Sequence, residues 1–155
     1  MSKINSSVFS NRNIISGFLF GLGLIAFIDE AIFHQMLGWH HFYDRATTSV
    51  GVFSDGIFHA VSWFATVAGL FLFADIKRRG TFQFKSWLGG LLFGAGLFNL
   101  YDGTIQHKVM RIHQIRYVDN LIYYDITMIV TASVLTIAGI ILILLGRNDQ
   151  VEKHA

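Results

Sequence analysis

The sequence predicts an all-α integral membrane protein, a four-helix bundle made of two tandem helical hairpins related by a pseudo-two-fold axis along the membrane normal. Three observations predict it: an unusually apolar composition, four long apolar segments, and an internal repeat that carries polar as well as apolar positions. Of the 155 residues, 53% are hydrophobic and only 14% charged, with a mean hydropathy of +0.50, far from the balance of a soluble domain of this length. The chain reads as a single transmembrane domain over 1–155. It has no cysteine, which excludes disulfides, thiolate nucleophiles and sulfur-rich metal sites, so any metal must be held by His, carboxylate or Met.

The residues before the first apolar run, 1–13, are short and polar, and no small-residue cleavage site follows that run, so the first helix is expected to stay as a signal anchor. Apolar segments follow at 14–37, 50–76, 87–110 and 121–146, each long enough to cross a hydrocarbon core ~30 Å thick. A soluble bundle would need a broad charged face on each helix, and 14–28 and 128–145 have no charged residue at all. Lys3, Arg12, Lys77, Arg78, Arg79, Lys85, Arg147 and Lys153 flank one side, against Arg45, Lys108, Arg111 and Arg116 on the other. Positive charge accumulates on the cytoplasmic side, so both termini are expected in the cytoplasm, with the chain in the inner membrane. Trp39, Tyr43, Tyr117, Tyr123 and Tyr124 near the outer boundary, and Trp87 near the inner one, fit an aromatic belt. The same topology accounts for the net charge of +2 and the pI near 9.0, so no nucleic-acid partner is implied.

Segment 17–41 aligns without gaps on 90–114, at an offset of 73, with ten identities in 25 positions. Asp29/Asp102, His34/His107 and His40/His113 are among them, as are Gly17/Gly90 and Gly21/Gly94. The following helices align at an offset of 70, pairing Asp55 with Asp125 and Thr66-Val67-Ala68-Gly69 with Thr136-Ile137-Ala138-Gly139. Repeat one is about 14–76 and repeat two about 87–146. Each unit has two spans, so both copies enter the membrane in one direction. Gly17, Gly21, Gly90 and Gly94 make small-xxx-small patterns that permit close packing, most simply between the first and third helices.

Ionisable residues in an apolar span cost roughly 2.5 to 3.5 kcal/mol each on insertion scales and mark a functional interior. Asp29 falls fifteen residues into the first span, about 22 Å deep at ~1.5 Å per residue. Asp102 falls at the matching depth. Glu30, His34, His40 and His41 continue outward from Asp29; Asn99, Gln106, His107 and His113 flank Asp102; Asp55, His59 and Asp125 begin the returning helices. Six of the seven histidines share this layer, His154 in the tail being the other. Imidazoles with compensating carboxylates are the donor set of zinc, copper and iron. The candidate metal residues are therefore His34, His40, His41, His59, His107, His113, Asp29, Glu30, Asp55, Asp102 and Asp125. Glu30 with His34, and Asp55 with His59, are four apart and share a helical face. Asp29 to His34 and Asp102 to His107 are five apart, about 140° around a regular helix, so both members can meet one ion only if the helix is locally distorted.

The order Asp29-x4-His34-Gln35-x3-Trp39-His40-His41, then Asp55-Gly56-x2-His59, then Phe98-Asn99-x2-Asp102-Gly103-x3-His107-x5-His113, resembles an uncharacterised family of small predicted bacterial membrane proteins, the domain of unknown function 2243. The resemblance covers about 14–146. It implies four transmembrane helices and a bacterial-type envelope setting and carries no assigned activity, so function is argued from the site.

Four readings fit these residues. The first is a transition-metal site at the extracytoplasmic side, holding one or two ions of copper, zinc or iron for metal handling, including supply to a respiratory oxidase or another membrane protein, or for redox chemistry. The second is a zinc-dependent membrane hydrolase, for which no HExxH stands in the chain and Asp55-x3-His59 is the nearest pattern. The third is a haem b cytochrome with His34 and His107 as axial ligands. The fourth is a structural subunit whose buried polar network locks two hairpins together. The residues alone do not decide whether the protein is an enzyme.

Overall fold

The computed structural model describes residues 2–152, with side chains from 11 to 148. His154 and Lys153 lie outside the described residues, as does the side chain of Lys3. Four helices, α1 (Ser2–Asp29), α2 (Thr48–Arg78), α3 (Phe84–Tyr101) and α4 (Leu121–Glu152), are the α-helical elements of the described chain, and no strand occurs among the described residues. α1 and α3 each run on without a break into a π-helical segment, Glu30–Met36 and Asp102–Met110 respectively.

Three stretches, Asn11–Met36, Thr48–Arg78 and Leu121–Asn148, are long and apolar enough to cross a membrane, where four were expected. α3 falls short for an identifiable reason. It carries four glycines and Asn99, and its extension opens on Asp102, which together lower its mean hydropathy. It packs on both α1 and α4, α1 packs on α2, and α2 and α4 stay on opposite flanks with no Cα atoms within 8 Å of each other. The helical bundle is thus an open row, α2–α1–α3–α4, in place of a closed square.

Close approach in this row depends on glycine. A Cβ on Gly17 or Gly21 would run into the carbonyl oxygens of Trp87 and Leu91, and one on Gly90 or Gly94 into those of Ile14 and Phe18. The flanking contacts use the same device. Gly23 lies against Thr66 and Gly69 against Phe20, while Gly96 lies against Thr136 and Gly139 against Phe93. With little driving force for apolar surfaces to separate from lipid, such backbone proximity is what holds membrane helices together.

The interior is polar. Ala26, Phe58, Ile76, Ala95 and Ala132 are the buried hydrophobic residues among those described, against twelve buried polar or charged ones, while Phe53, Phe64 and Phe71 stand outward. In water that outer surface would drive aggregation; in a bilayer it is the matching solvent. At the end bearing the termini, Asn13 ties the turn after α2 to α1 by donating to the Thr81 carbonyl and accepting from the Gln83 amide. Arg12, Arg78 and Arg79 all pair with Asp75 there.

A left-handed residue follows each π-helical segment, Gly38 (φ 58°) two residues after the first and Arg111 (φ 51°) directly after the second. An L side chain in that conformation costs about 1 kcal/mol. Arg111→Gly is therefore expected to stabilise the protein by about 1 kcal/mol and Gly38→Ala to destabilise it by a similar amount, read as opposite shifts in thermal unfolding in detergent.

Candidate metal centre

The π-helical segments solve the spacing problem of the doubled Asp-x4-His pattern. Bonding from i to i+5 brings residues five apart onto one face, so Asp29 meets His34 and Asp102 meets His107 without a bend. The nearest oxygen of Asp29 lies 3.6 Å from His34 Nε2, and that of Asp102 lies 3.1 Å from His107 Nε2. After each segment the chain folds back over the bundle end, held by Trp39 N–H donating to the Phe33 carbonyl and Ile112 N–H to that of Gln106. These turns deliver His40 and His113. The two rings stack face to face, 4.8 Å apart at 5°, with His34 at 4.4 Å from His40 and His107 at 4.7 Å from His113. Two triads result, Asp29-His34-His40 and His40-His107-His113, whose donor atoms lie within 4.8 Å of one another. His113 Nε2 is also 3.2 Å from Asp102.

The far nitrogens of three of these rings are held by the protein. His40 Nδ1 donates to the Ile115 carbonyl (3.1 Å) and His113 Nδ1 to that of Phe42 (2.8 Å), so each connection clasps the other. A carbonyl only accepts, so both protons sit on Nδ1 and both Nε2 lone pairs face inward. Burial first, then the imidazoles of His34 and His113, push the His40 ring down to about 2, which keeps it neutral. His34 Nδ1 donates to Asp55 (2.9 Å), which also receives His41 Nδ1 (2.6 Å) and the Phe42 amide (2.6 Å). Such carboxylate–histidine pairs orient metal-binding imidazoles.

Several buried atoms at the cluster make no hydrogen bond. His34 Nε2, His40 Nε2, His113 Nε2, both nitrogens of His107, Asp102 Oδ2 and Gln106 Oε1 are buried without a hydrogen bond, and these are all such side-chain atoms among the described residues. Asp102 lies within ion-pair distance of His107 and His113 (3.1 and 3.2 Å), without the alignment of hydrogen bonds.

The remaining candidates go elsewhere. Glu30 does not join His34, because the π-helical twist turns it toward Gln35 (2.8 Å) and His59 Nδ1 (2.6 Å), at the side of the bundle. Asp55 correspondingly pairs with His34 and His41, and not with His59. Asp125 is taken by Lys108 at 2.6 Å. His41 supports Asp55 from a partly exposed position. Reasoning on spacing passed over the carbonyls of Phe42 and Ile115, which only the folded connections bring near. It also passed over a cavity of about 480 Å³ whose floor reaches Asp29, His40, Asn99, Asp102 and His107.

A family model described as "Predicted membrane protein (DUF2243)" matches residues 16–146. No curated protein and no solved structure matches the chain.

Proposed function

The chain belongs to the DUF2243 family of predicted membrane proteins, and from that premise and the geometry of the site we propose that it is a membrane protein built to hold one or two transition-metal ions, copper, zinc or iron, between its two hairpins. Asp29, His34, His40, Asp102, His107 and His113 are the proposed ligands. Asp55, with His41, is the outer partner that fixes His34. One observation carries this reading: one ligand atom each from His40, His107 and His113, and from Asp29, His34 and His40, come within 4.8 Å of one another, with the Nε2 atoms of the four histidines buried and not hydrogen-bonded, while the opposite ring nitrogens of His34, His40 and His113 are tied down. Each unsatisfied buried group costs about 1–3 kcal/mol. A cation at their centre satisfies the imidazole lone pairs and the carboxylates together, at nitrogen and oxygen donors that suit these metals.

Matched contacts support two pseudo-symmetric hairpins. The His40 bond to Ile115 has its counterpart, 73 residues on at each end, in the His113 bond to Phe42, and left-handed Gly38 has its counterpart in Arg111. The enclosure of α3 beside α1 supports a fourth crossing. The charge bias supports cytoplasmic termini, with the centre near the outer face of the inner membrane. Near-complete burial of ligands drawn from both hairpins favours a resident centre over cargo for delivery. When bound, such an ion supplies Lewis acidity or, for copper and iron, electron transfer. Haem does not fit His34 and His107, since the stacked rings of His40 and His113 occupy the space between them.

The test is elemental mass spectrometry of detergent-purified protein with its visible spectrum. One or two equivalents of a transition metal per chain are expected. A folded protein that takes up neither zinc, copper nor iron when each is supplied overturns the reading.

A further inference from the structure

The cavity beside the centre is larger than an ion requires and falls in the size range of small-molecule sites. Its walls are Ile25, Ile28, Phe33, Ile115 and Met128, with Trp39 and Tyr124 as an aromatic side. Trp39 packs on Phe33 (4.9 Å) and edge-on to Tyr124 (5.7 Å), and Arg116 lies over both outer rings while donating to the Tyr124 hydroxyl. The mouth lies between α1 and α4, where outward-facing Tyr123, Thr127 and Thr131 line it. It therefore opens sideways, toward the bilayer. The first hairpin is filled at the corresponding position. At the position aligned with Met128 it has Phe58, which is buried and stacks on Phe42 (4.9 Å) and Phe98 (5.8 Å).

We propose that this cavity binds a neutral, hydroxyl-bearing aromatic amphiphile of the phenol or hydroquinone class, which enters from the bilayer between α1 and α4 with its hydroxyl end at Asp29 and Asn99. The hydrogen-bonding groups of the floor select the head. With His40, Asp102 and His107 taken up by the proposed ion, the floor leaves the Asp29 carboxyl and the Asn99 amide to the ligand, and these ask for a compact hydroxyl head that both donates and accepts. The aromatic side selects a flat ring. The apolar mouth at membrane depth selects a tail that remains in lipid. The inference rests on the metal-centre reading for the state of the floor, since a coordinated ion leaves Asn99 and the cavity-facing edge of Asp29 to meet the head.

The experiment measures binding of decyl-hydroquinone to the purified protein under reducing conditions, with decanoate as competitor and metal content determined on the same samples. Saturable binding that decanoate does not displace is expected. Met128→Phe, which puts into the second hairpin the residue that fills the first, is expected to weaken binding at least tenfold with metal content unchanged. Should Met128→Phe fail to fold, Thr131→Phe at the exposed mouth takes its place. Absence of saturable binding, equal displacement by decanoate, or unchanged affinity in the filled variant overturns the proposal. Metal retained without ligand binding sinks this inference alone, and ligand binding without metal sinks the metal reading alone.

Discussion

Replacing His40 with alanine is expected to strip the metal from the protein, and more completely than any other single change in the cluster. His40 is the one residue common to both ligand triads, and its Nδ1 bond to Ile115 also fastens the first connection onto the second. Asp55→Asn gives the graded counterpart. Asp55 touches no proposed ion; it receives three donors, from His34, His41 and the Phe42 amide. An amide in its place keeps the shape but offers one oxygen where two were used, and it turns an N–H toward donors. Changes of this outer kind lower metal affinity about 10–100-fold, so chelator competition is expected to show a drop of that size for Asp55→Asn and a larger one for His40→Ala. His59→Ala serves as the control, since His59 pairs with Glu30 away from the cluster. Equal metal content in wild type and His40→Ala, both folded, is the result that removes the centre.

The six proposed ligands were all legible as candidates in the sequence, because an ionisable residue in an apolar span is conspicuous and the repeat lists each one twice. Their grouping was not. On a 100° wheel Asp29 and His34 fall on different sides, and Glu30 falls beneath His34. The π-helical stretch reverses both relations, sending Glu30 to His59 and Asp29 to His34. No local propensity announces a π-helix; the only signal was chemical, an Asp and a His five apart occurring twice. The reach of His40 and His113 to carbonyls on the opposite connection was invisible for a different reason. Backbone acceptors carry no sequence identity, and the turns that present them are set by how the two hairpins meet. Four apolar segments were read from the sequence, and the helices at three of them are long and apolar enough to cross a membrane; α3 is not, since its glycines, Lys85 and Asn99 lower its mean hydropathy.

The two triads meet only if α1 and α3 run close enough for His40 to stack on His113, and that distance is set by four glycines well away from the site. Gly21→Ala combined with Gly94→Ala is expected to be the most damaging substitution of small residues in the protein. Each added methyl meets backbone, the Leu91 carbonyl oxygen in one case and that of Phe18 in the other, and backbone has no rotamer through which to yield. The helices must separate along their length. Overpacking of this kind costs about 1–3 kcal/mol at one site, so the pair is expected to lower stability by several kcal/mol, lowering the unfolding temperature in detergent and releasing the metal though no ligand has changed. Gly56→Ala separates this effect from a general intolerance of the helices to alanine. Nothing lies within 4 Å of a Cβ placed there, and alanine favours the helical state by up to about 1 kcal/mol, so that variant is expected to unfold at the same or a higher temperature with its metal in place. If the glycine pair proved as stable and as metal-replete as wild type, close contact between α1 and α3 would not be what assembles the centre.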